Sequence, residues 1–291
     1  MKTNLLSACI VILSSLGYMV SSLMAASAPQ DKAVSVEGFR QISSRIYCSG
    51  EPSGSDVFDQ IAGLGIKTVV SVDGKQPDHQ AAAKAGLRYV HLPIGYDGVP
   101  IAVQAALKQL LETTQGSILI HCHHGKNRGP AAAVIAAMIE GGISKDHALG
   151  MMKMAGTGAD YKGLWRDVQN YTTITSNAAP AALVPVAKVT PFVREMTRMD
   201  DAFEKLEAIK VEAWNGGLAN ELTVVLVEGF REALRNKEKQ HAPSMITHLK
   251  ESLQKAEQFS ESLKDSDPKQ TLVRLEMMKQ DCRGCHKSHR D

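Results

Sequence analysis

The sequence predicts two domains of different class: an α/β domain with a mostly parallel central sheet, then an all-α antiparallel four-helix bundle. Three observations predict it. The chain has 291 residues, long for one domain of roughly 100–200 residues and about right for two. Short β-rich runs alternate with helical stretches from Val34 to Tyr171. After a charge-poor stretch, amphipathic helical patterns run to the C-terminus.

The elements follow in order. Lys2 is the only charge before Asp31, Leu5 to Leu23 is apolar with interspersed Ser and Gly, and Ala26-Ser27-Ala28 offers a small-residue cleavage site. Residues 1–28 therefore read as a secretory signal peptide that removes Cys9. An uncleaved membrane anchor is the alternative, because the run is about as long as a spanning helix requires. Ser55–Leu64 reads as helix, Ile66–Val72 as a buried strand, Gln80–Gly86 as helix and Arg88–Leu92 as strand. Val103–Thr113 is helix, Ser117–Ile120 a strand leading into His121-Cys122, and Gly129–Glu140 helix again.

Residues 29–175 thus form the α/β domain, and 176–189 (SNAAPAALVPVAKV) have the composition of a Pro/Ala-rich linker. Within 190–291, helices are expected over Pro191–Trp214, Leu218–Lys237, Pro243–Leu263 and Pro268–His289. Met196, Met199, Phe203 and Leu206 recur at helical spacing, as do Met245, Leu249, Leu253 and Ala256.

Charge excludes one class of function. The chain carries 33 basic and 31 acidic residues for a net +2, and both parts are balanced. Nucleic-acid binding needs clustered positive charge and is not expected. Five cysteines are too few for a disulfide scaffold, so each has its own explanation.

The most informative stretch of the first part is His121-Cys122-His123-His124-Gly125-Lys126-Asn127-Arg128, between a strand and a helix. A strand-to-helix turn aims backbone N–H groups and the helix dipole into one concavity that suits phosphate. Arg128 can close it with a bidentate fork, and the same field favours the Cys122 thiolate. Gly125 lets the loop turn, and Pro130 suits a first helical turn. The loop resembles the HCxxGxxR signature of the cysteine-dependent protein-tyrosine and dual-specificity phosphatases, over about residues 35–175.

That resemblance implies a phosphatase-like domain in which Cys122 attacks phosphorus to form a cysteinyl-phosphate that water hydrolyses. It implies that His123, His124, Gly125, Lys126, Asn127 and Arg128 bind phosphate, the two histidines shaping the loop rather than carrying acid/base chemistry. Tyr96-Asp97-Gly98-Val99-Pro100 is similar to the family's acid loop and makes Asp97 the candidate general acid, with Asp73 and Asp78 as weaker alternatives. The family normally places Ser or Thr after the arginine to help the thiolate leave; here that residue is Gly129. Cys48 reads most simply as a strand residue, and alternatively as a reversible disulfide partner protecting Cys122 from over-oxidation.

The second motif is Cys282-Arg283-Gly284-Cys285-His286. CxxCH is the attachment signature of c-type haem, with two thioether-forming thiols and a proximal histidine ligand. Zinc and a redox disulfide are the alternatives. A CxxCH near the end of the fourth helix, followed by Arg290, resembles the cytochrome c-prime family over about residues 190–291, although His289 replaces the usual aromatic. The resemblance implies one covalent haem c held by Cys282, Cys285 and His286. It also makes Met196 or Met199 a distal iron ligand, the alternative being a core role; Met196 is favoured because Phe203 and Leu206 continue its face.

Two functions are therefore expected in competition. One is an exported, periplasmic phosphomonoesterase fused to a monohaem cytochrome for electron transfer or for redox or gas sensing. The other is a non-hydrolytic oxyanion-binding protein attached to an electron-transfer cytochrome. Expected partners are a phosphorylated substrate or oxyanion, a redox protein and, through the bundle, a second copy of the chain. A membrane enters only if the N-terminal segment stays uncleaved.

Overall fold

The structure, a computed structural model, describes residues 34–173, 178–214, 216–235, 242–264 and 267–290. The signal peptide expected over residues 1–28 and the first two residues of the expected linker lie outside the described residues.

Five strands form one mixed sheet: β1 (Arg40–Gln41), β2 (Ile46–Ser49), β3 (Ile66–Ser71), β4 (Arg88–His91) and β5 (Ser117–His121). Their order is β1-β2-β5-β3-β4. β1 pairs antiparallel with β2 at one edge, and every other pairing is parallel. The inner strands are apolar on consecutive residues because both faces of the sheet are covered. Val69, Tyr89 and Leu119 point to one side, where they pack with Phe58 and Ile61 of α1 (Ser55–Gly63) and Ala82 of α2 (His79–Lys84). Val70, Val90, Ile118 and Ile120 point to the other, against α3 (Ile101–Thr113) and α4 (Arg128–Ile139). Alternation at a period of two splits one hydrophobic run between two cores.

α4 is the central helix of the second core. Residues 131–137, AAAVIAA, are fully buried on every side of it, as expected of a helix with no polar face. Its alanines admit neighbours closely, among them α5 (Lys145–Ala155) and α6 (Lys162–Gln169). Neither α5 nor α6, nor the short edge strand β1, is anticipated from sequence, although α5 carries local signals. Ser144 accepts the His147 N–H at its start, and Gly156 takes the left-handed conformation at its end with φ 79°.

Linker residues 178–189 have no regular structure, yet they are docked. The His91 N–H donates to the Val184 carbonyl at 2.8 Å, the Ala187 N–H donates to His91 Nδ1 at 3.1 Å, and the Ala181 N–H donates to the Ala102 carbonyl at 2.9 Å. The segment lies along the β4 edge and satisfies backbone groups the sheet leaves open.

A helical C-terminal region follows: α7 (Pro191–Ala208), α8 (Gly217–Arg235), α9 (Pro243–Ser262) and α10 (Pro268–His289). Proline occupies the first turn of α7, α9 and α10, where no N–H is needed. Thr190 and Asp267 accept backbone N–H groups at the starts of α7 and α10. Consecutive helices contact one another, and Leu206, Leu226, Phe230, Leu249, Phe259 and Met278 share one buried cluster. The first helix is shorter than the expected Pro191–Trp214. Ile209 turns extended, a 3-10 turn spans Val211–Ala213, and the Trp214 indole donates to the Ile209 carbonyl at 3.1 Å, closing the corner. Among the described residues, no helix is long and apolar enough to cross a membrane.

Candidate active site

β5 ends at His121 and α4 starts at Arg128, so residues 122–127 make the turn from strand to helix. Gly125 holds φ 66°, and a Cβ there would lie 2.5 Å from the Gly50 nitrogen. Only glycine allows the loop to lie against the end of β2. The Glu51 N–H donates to the His123 carbonyl at 2.8 Å. On the far side, Thr157 Oγ1 donates to the Lys126 carbonyl at 2.6 Å and the Gly158 N–H to Asn127 Oδ1 at 3.0 Å. Lys126 Nζ pairs with Glu37 at 2.8 Å. Fully buried His121 lies 2.5 Å from the Tyr89 hydroxyl, and burial lowers its pKa to about 4, so its ring is neutral.

Cys122 is 3% exposed and Arg128 7% exposed. A Cβ at Gly129 would lie 3.2 Å from the Cys122 sulfur and 3.0 Å from its nitrogen. The start of α4 thus approaches the cysteine so closely that glycine suits the position. Cys48 is a strand residue of β2, fully buried and opposite Ile120, which places it on the same face of the sheet as Cys122. Both thiols are free, and burial together with the neighbouring Cys122 pushes the Cys48 thiol up.

Arg128 Nη2 donates to Asp73 Oδ2 at 2.5 Å, and the same oxygen accepts the His123 N–H at 3.0 Å. Asp73 Oδ1 accepts the Lys75 N–H at 3.0 Å. Burial acts to raise Asp73, but the Arg128 guanidinium and these two N–H groups outweigh it and hold the carboxyl below its usual range. Arg128 Nε is buried with no partner among the described residues. The Tyr96 ring carries two guanidinium groups, Arg128 and Arg290, each with its carbon 4.5 Å from the ring centroid. Burial raises the Tyr96 hydroxyl to about 12.

The three carboxylates considered from sequence are therefore placed differently. Asp73 sits on Arg128. Asp97 is exposed, on a loop held by α6: Arg166 donates to the Asp97 carbonyl and the Val99 N–H to Asp167 Oδ2, both at 2.8 Å. Asp78 caps α2, accepting the Ala81 N–H at 3.0 Å.

The helical region adds residues that sequence reasoning missed. Asp201 of α7 pairs with Lys75 at 3.0 Å, and Lys75 also pairs with Glu51 at 2.9 Å. Glu204 Oε2 lies 3.0 Å from His123 Nε2, and Glu204 Oε1 lies 3.2 Å from His124 Nε2. The hydrogen bond to Glu51 raises His123, burial opposes it, and Glu204 and Asp73 add to the rise, bringing it to about 9. On α7 alone, Asp200, Asp201 and Glu204 read as an ordinary solvated face.

Arg128, Asp73 and His123 share a cavity of about 460 Å³ with Cys282, Cys285 and His286 of α10. That volume lies within the roughly 300–1,000 Å³ typical of small-molecule and cofactor sites. Met196, Met199, Phe203 and Phe230 give it an apolar wall; Met199 is the more deeply buried of the two methionines. Burial, then Asp281, raises the Cys282 thiol to about 12, and burial raises Cys285 as well. Burial, then Arg290, lowers His286 to about 4, which leaves a neutral imidazole. Arg290 Nη1 lies 3.2 Å from His286 Nδ1.

No family model matches the chain. Over 114 residues it is 30% identical to the Beta-lactamase hydrolase-like protein of Xylella fastidiosa, a match covering 36% of this chain and 26% of that protein. Over 120 residues it is 34% identical to the dual specificity protein phosphatase TpbA of Pseudomonas aeruginosa, covering 40% of this chain and 54% of that one. The chain thus spans between about a quarter and about half the length of these curated relatives. Among solved structures, the crystal structure of P. aeruginosa TpbA matches at 26% identity and a TM-score of 0.41, covering 49% of this chain and 94% of that one. Human DUSP28 matches at 21% identity and a TM-score of 0.37, covering 45% and 90%.

Proposed function

We propose that the chain is an exported, cysteine-dependent phosphomonoesterase (residues 29–175) joined through residues 176–189 to a monohaem c-type cytochrome domain (residues 190–291) of antiparallel four-helix form. The observation that carries the phosphatase reading is the loop itself, with Cys122 at the strand end and Arg128 opening the helix, its buried Nε free to complete a fork on an oxyanion. The sequence relation to a dual specificity phosphatase supports it.

In the first step the Cys122 sulfur attacks phosphorus, the P–O bond breaks, and the leaving oxygen takes a proton from an acid. In the second, water attacks the cysteinyl-phosphate, releasing phosphate and thiolate. Asp73, ionised against Arg128, is a poor proton donor in this arrangement. Asp97 keeps the acid role, adjacent to the Tyr96 that contacts Arg128. Hydrolysis of a generic aryl phosphate should be lost in Cys122→Ser, and equal rates in wild type and variant would defeat the enzyme reading. One observation favours the alternative, an oxyanion-binding protein without turnover: Gly129 offers no hydroxyl beside the sulfur. A burst of one phosphorylated Cys122 per chain without steady turnover would select it.

The residues of the second motif fit a covalent haem. Two thiols and a neutral imidazole at i, i+3 and i+4 of α10 face a cavity with an apolar wall, and neutral imidazole is the ligand form. Cys282 and Cys285 would anchor the group, His286 would hold its iron, and Met196 or Met199 would be the distal ligand. When bound, it supplies reversible one-electron chemistry. Secretion with c-type maturation should give a covalently coloured chain, and Cys282→Ala with Cys285→Ala should abolish the colour. The shared cavity supports coupling of haem state to the phosphatase loop; identical phosphatase rates with oxidised and reduced protein would remove it.

A further inference from the structure

His123 and His124, the two residues after Cys122, face the same carboxylate. Their Nε2 atoms lie 3.0 and 3.2 Å from the two oxygens of Glu204 on α7. Their Nδ1 atoms face other carboxylates, His123 at 3.4 Å from Glu51 and His124 at 3.9 Å from Glu37. A carboxylate within hydrogen-bond reach of Nδ1, as Glu51 is for His123, holds a ring proton there and leaves Nε2 to a metal, the arrangement that orients zinc-binding histidines.

Without a metal, a protonated His123 holds Glu204 and Glu51 by its own charge; a divalent cation can displace that proton. Protonating both rings would set two imidazolium ions side by side with centroids 4.4 Å apart, a like-charge pair. One divalent cation satisfies all three groups at once. The spacing suits it: zinc bonds of 2.0–2.1 Å in a tetrahedron put ligand atoms about 3.3–3.4 Å apart, and the candidate ligand atoms all lie within 4.8 Å of one another. His124 and Glu204, with side chains 47% and 39% exposed, leave a path from solvent.

We propose that His123 Nε2, His124 Nε2 and Glu204 form a zinc site, completed by water, that clasps the loop after Cys122 to α7. The site depends on neither turnover at Cys122 nor haem attachment.

Zinc salt titrated calorimetrically into the chelator-treated full chain tests it. Wild type should take up one zinc that His124→Ala and Glu204→Ala bind at least tenfold more weakly, while Cys282→Ser with Cys285→Ser retains it. His124 is a surface side chain, so its variant keeps the reading clear if Glu204→Ala misfolds. Equal stoichiometry and affinity in wild type and His124→Ala would overturn the site, as would no zinc uptake by the wild type, or uptake lost only with the two cysteines.

Discussion

Replacing Asp73 by Asn should expose how much of the loop's order rests on one buried pair. Asp73 and Arg128 are 4% and 7% exposed, and their side chains meet at 2.5 Å. Removing one partner of a buried pair costs about 3–5 kcal/mol, mostly because the other charge is left uncompensated. Asn can still accept the His123 or Lys75 N–H, so the loss belongs at the low end, about 3 kcal/mol. An oxyanion that takes the vacated Arg128 should restore part of it, since a ligand at a hundred times its Kd contributes about 2.7 kcal/mol. Urea unfolding of wild type and Asp73→Asn, with and without inorganic phosphate, measures both quantities. Phosphate should stabilise the variant more than the wild type, where the carboxylate competes for Arg128. A variant as stable as wild type, or equal stabilisation of the two by phosphate, would refute the reasoning.

Other consequences are as specific. Gly129→Ser puts a Cβ 3.2 Å from the Cys122 sulfur, so thermal unfolding should register a loss of about 1–3 kcal/mol from overpacking. Its hydroxyl should nonetheless raise steady turnover of an aryl phosphate. Phe259, fully buried among α8, α9 and α10 residues, should cost about 3–5 kcal/mol on truncation to Ala, read as a lower denaturant midpoint. Burial lowers His91 from 6.5, and its neutral ring bonds the Asp73 carbonyl and the Ala187 N–H. A depressed pKa means that this stability is present above about 6.5 and is lost as pH falls below it. The protection factor of the Ala187 amide, with the intrinsic pH dependence of exchange divided out, should fall between pH 7 and pH 5 in the wild type and show no such fall in His91→Gln.

Much of the fold was legible because its signals are local. Ile66–Val72 and Ser117–Ile120 are apolar runs too short for helices, and the structure places β3 and β5 there within a residue. α10 runs from Pro268 to His289 as expected, since proline and the Asp267 cap define its start without tertiary help. α5 and α6 escape a sequence reading although Ser144 and Gly156 mark one of them, because helices of 11 and 8 residues repeat their apolar spacing only once or twice. The Pro/Ala-rich linker docks on β4 through backbone hydrogen bonds that leave no trace in composition.

The cysteines divide along the same line. Sequence alone determined that Cys122 precedes Arg128 by six residues on a strand-to-helix turn, and that Cys282, Cys285 and His286 share one face of a terminal helix. Spacing along a chain is enough for that. Only the tertiary structure decided that His123 and Arg128 of the first motif line one cavity with Cys282, Cys285 and His286, that Asp73 rather than Asp97 sits on Arg128, and that Glu204 reaches both loop histidines. Those contacts join elements distant in sequence, and they depend on how α7 and α10 pack against the sheet's loops, which local periodicity does not encode.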